Sequence, residues 1–189
     1  MKRIVTSLVV LSLLVLNCKG ENPPEGLSEE KSSLFVSDGA DAESDAVVVE
    51  MVRAEENILT VALTARSISE PIYGVAAELV YNPALFKYLD YKPEELLEGS
   101  PEAAEDQLCR AALLDGQPGR LVLGASRLGA LPGVTGSGRV VTLRFEGLKT
   151  GSCRFDLESL VCRRSDLSRI DGIRAKGGWA DCRLDLLRK

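Results

Sequence analysis

Six carboxylates, Glu94, Glu95, Glu98, Glu102, Glu105 and Asp106, crowd one short stretch of this chain. A pair of carboxylates can hydrolyse a glycosidic bond, one as acid and the other as base or nucleophile. Working acids, however, sit in apolar clefts that shift their pKa. These stand among Ser, Pro, Gly and Ala, which describes a solvated acidic loop. The chain contains no His. That excludes Ser-His-Asp and Cys-His catalysis, His general acid–base work and His-based zinc sites. Asp41, Glu43 and Asp45 have the 1-3-5 spacing of a calcium loop, but Ala46 stands where the sharp turn needs Gly and Val52 where a bidentate Glu belongs. The glycines of Gly119–Gly138 do not form the G-x-x-x-x-G-K-[ST] pattern of a phosphate cradle. They are read as turn formers. No catalytic residue, metal or cofactor is expected.

Cys109, Cys153, Cys162 and Cys182 remain as possible chemistry. In an exported chain an even count suggests two disulfides, with three connectivities open. Cys162 with Cys182 is preferred, because both fall at ends of the last two strands and the chain can fold back near Asp171-Gly172. Cys109 with Cys153 then follows. The alternative is free buried thiols. The spacings form no paired C-x-x-C knuckles, which argues against zinc.

The N-terminus reads as a targeting segment. Lys2 and Arg3 precede an apolar run, Ile4–Leu16. This is shorter than the roughly 20 residues of a membrane span. Ending in Val15-Leu16-Asn17-Cys18, it resembles a bacterial lipoprotein signal, which implies cleavage after residue 17 and a diacylglyceryl group on Cys18. An ordinary secretory signal or an uncleaved anchor is the alternative. Lipidation would hold the protein on a membrane, since each buried CH₂ is worth about 0.8 kcal/mol. The expected location is a bacterial membrane reached by export, the outer membrane or cell surface ahead of the inner membrane. Residues 18–44, rich in Gly, Pro, Ser, Glu and Asp, read as a flexible tether. They hold one apolar cluster, Leu34-Phe35-Val36, for which the sequence names no partner. The net charge of −5 disfavours nucleic acid, whose binding needs neutralised phosphates.

Residues 45–185 have the length of one domain, leaving 186–189 as a tail. Period-two alternation marks the strands. Ile58–Arg66 sets Leu59, Val61, Leu63 and Ala65 against a more polar Thr60, Ala62, Thr64 and Arg66. Ile72–Tyr81 sets Tyr73, Val75, Ala77, Leu79 and Tyr81 against Gly74, Ala76, Glu78 and Val80, and stops at Asn82-Pro83. Further strands are expected at 45–53, 85–91, 109–114, 120–127, 139–146, 154–162 and 178–184. Residues 93–106 are read as a short helix or acidic loop, with Pro93 in its first turn and Gly99 at its end. About nine strands with frequent turns predict an all-β antiparallel sandwich or jelly roll.

The motif G-x-x-x-E-L-x-Y-N-P-x-L on Gly74, Glu78, Leu79, Tyr81, Asn82, Pro83 and Leu85 resembles the third strand of cohesin modules. Gly136, Gly138, Val140, Leu143 and Phe145 add G-x-G-x-V-x-x-L-x-F, and Asp171-Gly172-Ile173 leading to Gly178-Trp179 resembles the end of a cohesin. The resemblance spans nearly all of 45–185. It implies a non-catalytic module that binds a protein partner through the outward residues Gly74, Ala76, Glu78 and Val80. Cohesins that bind dockerins commonly carry Asn and Asp on that strand, where this chain has Gly74 and Ala76. The partner is therefore expected not to be a conventional dockerin. Related sandwiches also imply a carbohydrate-binding alternative, with Tyr73, Tyr88, Tyr91 and Trp179 as stacking candidates, although Trp179 is favoured as core. A third reading is a structural subunit of an envelope or secretion assembly.

Overall fold

Two β-sheets face each other in a computed structural model that describes residues 34–38, 44–55, 57–98 and 107–182. The expectations for residues 1–17, Cys18, Asp41, Glu43, Gly99, Glu102, Glu105, Asp106 and the tail lie outside the described residues. Strands are numbered in chain order. One sheet runs β1 (Leu34–Ser37), β12 (Gly178–Cys182), β9 (Gly151–Arg163), β4 (Gly74–Val80), β7 (Arg120–Arg127), β6 (Gln107–Leu113), with β10 (Arg169–Ile170) also on β9. The other runs β11 (Arg174–Lys176), β2 (Ala46–Glu55), β3 (Ile58–Ile72), β8 (Val134–Gly147), β5 (Phe86–Pro93). All pairings are antiparallel except β11 with β2. The protein is an all-β sandwich.

Alternation sets the core, as expected for strands with one face inward. Val75, Ala77, Leu79 and Tyr81 are buried from β4 and its turn, and Leu59, Val61, Leu63 and Ala65 from β3. Between the sheets Tyr81, Phe86, Phe145 and Phe155 form one aromatic cluster. Phe145 meets Phe155 edge-on at 5.0 Å between centroids, and Tyr81 stacks on Phe155 at 5.7 Å. Such pairs contribute about 0.5–1.5 kcal/mol each beyond the area they bury.

Several elements differ from expectation. The cluster assigned to the tether is strand β1, pairing with β12 through Phe35↔Ala180 and Val36↔Trp179. Four residues are too few for alternation to declare itself. Residues 163–176, between the strands expected at 154–162 and 178–184, hold two short strands, β10 and β11. Among the described residues the strands number twelve. In 93–106 the described helical part is a single 3₁₀ turn, Glu95–Leu97, and Pro93 closes β5 instead of opening a helix. On the expected polar face of β3, Ala62 and Thr64 are buried. Glu50 lies opposite Ala62 and Arg66 opposite Ala46. The Arg66–Glu50 ion pair therefore arches over the Val48–Thr64 row between them.

The Asn82 turn explains why Asn serves there. Its Oδ1 accepts from the Ala84 N–H at 2.9 Å, and its carbonyl accepts from Leu85 and Phe86. This needs an acceptor two residues before the N–H, which Asn and Asp both supply.

Candidate functional site

The outward face of β6-β7-β4-β9 carries an apolar trough of about 290 Å³. Strand register builds it row by row. One row is Val161, Ala76, Gly124, Arg110; the next is Arg163, Gly74, Ser126, Leu108. Gly74, Ala76 and Gly124 make a floor of minimal side chains. A Cβ placed on Gly124 would meet nothing within 4 Å, so the space above it is open. Leu108 on one wall is 45% exposed, and Leu167, from the turn after β9, is 65% exposed. Exposed apolar walls beside a small-residue floor can receive an apolar ridge from another molecule.

Charge brackets the trough. Beyond the floor Arg120 Nη1 donates to Glu78 and, at 3.0 Å, to Glu158. At the other end Arg163 donates to the Leu167 carbonyl at 2.6 Å, fixing that turn. Arg110 stands on the wall with no ion pair among the described residues. Tyr73 leaves the inward row and lines the trough, its hydroxyl donating to the Gly129 carbonyl at 2.6 Å.

The four expected outward residues thus lie together on one face, Gly74 and Ala76 on the trough floor and Glu78 in the ion cluster beside it. Val80 is half-buried on the same face, opposite Arg120 and Asp156. Sequence reasoning missed Leu108, Arg110, Gly124, Val161 and Leu167. The available signal was in β7, where Val122, Gly124 and Ser126 share the outward phase, one apolar and two small.

Tyr88 and Tyr91 do not form an exposed stacking row. Tyr91 donates to the Cys109 carbonyl at 3.2 Å and Tyr88 to the Ala111 carbonyl at 3.5 Å, so they clasp β5 to β6. Tyr88 also packs on Phe145, and burial foremost pushes its phenol up to about 12. Trp179, favoured as core, is 48% exposed on the outer face of β12. Its neighbours Gly178 and Ala180 take the inward phase.

Among the described residues Cys109, Cys153, Cys162 and Cys182 are free and buried. Cys182 lies opposite Gly151, at the far end of β9 from Cys162; about 3.3 Å per residue puts them roughly 35 Å apart. Cys109 shares a row with Ala125, Val75 and Cys162, across two intervening strands. Neither expected disulfide can form, because strand pairing sends these residues to different rows. Burial pushes the Cys162 thiol up to about 11. The Cys153 thiol is also raised by burial, against a hydrogen bond from the Asn82 backbone.

Glu94 and Asp45 serve the structure. Glu94 accepts from Thr142 Oγ1 at 2.8 Å. Asp45 accepts from the Ser69 N–H and hydroxyl, both at 2.8 Å, and these bonds hold its carboxyl below the usual range. Among the described residues no group of three metal-ligating side chains occurs.

No family model matches the chain, and no curated protein matches it in sequence. Solved structures do match in fold. A type II cohesin domain from the cellulosome of Acetivibrio cellulolyticus aligns with a TM-score of 0.55 at 16% identity, over 71% of this chain and 93% of that one. A non-cellulosomal cohesin from the archaeon Archaeoglobus fulgidus gives 0.53 at 11% identity, over 70% and 86%. The cohesin of a type I cohesin–dockerin complex from Clostridium thermocellum gives 0.54 at 13% identity, over 70% and 95%. The chain has the fold of cohesin modules.

Proposed function

We propose that this protein is a non-catalytic binding module that holds a protein partner in the trough on β6-β7-β4-β9. The observation that carries this reading is the Gly74–Ala76–Gly124 floor between exposed apolar walls. A stretch of helix presenting one apolar face would fit there. Carboxylates on that helix would meet Arg110 and Arg163, and a basic residue would meet Glu78 and Glu158. Dockerin complexes among the fold neighbours support a protein ligand. Gly74 and Ala76 offer a partner no side-chain hydrogen bonds, so recognition rests on packing and end charges. A conventional dockerin, relying on polar groups there, is not the expected partner. The module is exported and displayed on a bacterial membrane through lipid on Cys18.

The test is crosslinking and affinity purification from native membranes with the full chain and with Ala76→Arg. A protein partner recovered with the first and absent with the second supports the reading. Equal recovery with both removes the trough from recognition. A partner that stays bound through detergent extraction and sizing would favour a permanent envelope subunit over a transient binder. Glycan hydrolysis by the purified protein would overturn the non-catalytic reading.

A further inference from the structure

Among the described residues four that are not glycine hold a left-handed backbone: Asp45, Ser67 and Ser159, at φ 47, 44 and 51, and Leu167 at φ 69. The first three carry short polar side chains. For a leucine this conformation is costly, because its Cβ crowds the backbone and the side chain can make no local hydrogen bond in return. Leu167 is also the most exposed large apolar side chain among the described residues, at 65%, and stands apart from the core. Backbone strain and exposed apolar surface thus fall on one residue, at the rim of the trough. The turn around it is firmly held. The Leu167 N–H donates to the Arg164 carbonyl at 3.0 Å, and the Arg164 N–H to the Ser168 carbonyl at 2.9 Å. Asp166 accepts from the Ser168 N–H and hydroxyl at 2.9 and 2.6 Å. Arg163 Nη1 donates to the Leu167 carbonyl, and Arg164 Nη1 reaches Ser168 Oγ and the Arg169 carbonyl. Glu70 of β3 ties Arg164 to the other sheet.

None of these bonds uses the side chain at 167. Gly or Asn would serve the same turn with less strain. The leucine therefore does nothing for the fold that a better turn residue would not do, and its side chain faces only the trough and solvent. We infer that Leu167 is the specificity-determining anchor of the trough, a rigidly presented apolar knob that enters an apolar recess on the protein partner. The inference rests on the trough being the partner site and adds the residue that selects the partner. A side chain on a fixed turn loses little freedom on binding, and covering its exposed surface contributes in proportion to the apolar area removed from water. The partner that fits presents an apolar recess beside the ridge lying over Gly124. A polar or charged group at that place would be desolvated against the leucine without a hydrogen-bond partner, which rejects it.

The full chain is placed in native membranes with a photoreactive benzophenone amino acid at position 167 or, as control, at Leu148, an exposed leucine outside the trough. Illumination is expected to give a discrete protein adduct from 167 and none from 148, and Ala76→Arg in the same chain removes it. Leu167→Ala keeps the left-handed strain and deletes the knob, so recovery of that protein falls by about tenfold or more at the wild-type urea midpoint. Leu167→Met keeps an apolar side chain of similar volume and retains most of the recovery. Leu167→Gly relieves the strain, so its midpoint rises by roughly 0.3–1 M urea, while recovery stays as low as with Leu167→Ala. An absent adduct at 167, or undiminished recovery with Leu167→Ala or Leu167→Gly, overturns this inference alone when Ala76→Arg still abolishes recovery. A Leu167→Gly midpoint below the wild-type value also overturns it, since the leucine would then serve the fold. Recovery that survives Ala76→Arg removes the whole trough from recognition, and Leu167 with it.

Discussion

Phe35 of β1 stands edge-on to Phe155 of β9, ring centroids 6.0 Å apart and planes at 76°. This contact draws β1 into the core. Phe35 is 8% exposed, and a Cβ on Gly178 would run into its ring at 2.5 Å. The glycine makes room for the aromatic side chain across the strand pair. The domain's N-terminal boundary therefore precedes β1. A chain beginning at residue 45 loses Phe35 and the pairing that covers β12. Its stability should fall by about 3 kcal/mol or more relative to a chain beginning at residue 31. Urea unfolding of both measures the difference, and Phe35→Ala in the longer chain should reproduce most of it.

Gly119 holds the turn between β6 and β7 against the Tyr81 turn. It sits at φ +82, its carbonyl accepts from the Tyr81 N–H at 2.9 Å, and an added Cβ would overlap the Tyr81 carbonyl oxygen and stand 2.7 Å from Pro83 Cδ. Gly119→Ala should lower stability by about 2–4 kcal/mol, from left-handed strain and backbone overlap together. Gly116, at φ +72 with nothing within 4 Å of its Cβ position, isolates the first effect. Gly116→Ala should lose only about 1 kcal/mol. Thermal or urea unfolding of the two variants checks the contrast.

Most of the sandwich was legible because period two is strong wherever one face is buried. Val75, Ala77, Leu79 and Tyr81 point inward as their alternation requires, and Asn82-Pro83 ends the strand where its backbone chemistry dictates. What failed depends on partners distant in sequence. Leu34–Ser37 becomes a strand only because β12 offers an edge. Trp179 is exposed because Gly178 and Ala180 take the inward phase, and choosing between phases in a five-residue strand needs the neighbouring strands. The cysteines misled because strand ends near in sequence order lie at opposite ends of β9. At the site, β4's outward set was readable, but Leu108, Gly124 and Val161 join it only through register.

Free, buried thiols give a pH signature. In the folded protein burial raises the Cys162 thiol from the ordinary 9.0 to about 11. Between these values the folded state keeps a proton that the unfolded state releases. Stability is therefore undiminished by this group below about pH 9 and falls as pH rises toward about 11. The loss is on the order of 2–3 kcal/mol. Cys162→Val, similar in size and without a titrating group, should flatten that part of the profile. Urea midpoints across the alkaline range provide the comparison.

The same geometry predicts that Cys109, Cys153, Cys162 and Cys182 all alkylate after denaturation without reductant, because none is paired. Raised thiol pKa values disfavour the reactive thiolate, so labelling of the folded protein at neutral pH should be slow. Mass spectrometry of tryptic peptides reads both. A disulfide linking Cys162 to Cys182, or Cys109 to Cys153, would contradict the strand register.

The central claim is that the trough over Gly124 receives the partner. Gly124 lies mid-strand without a positive φ, and its outward space is empty. Gly124→Leu therefore fills the trough without touching the core, and removing a strand glycine should leave stability unchanged or raise it by up to about 1 kcal/mol. The decisive measurement is partner recovery from native membranes with this variant beside the wild-type chain, each shown to unfold at the same or a higher urea midpoint. Lost recovery with retained stability is the predicted result. Undiminished recovery would place the partner elsewhere and contradict the account.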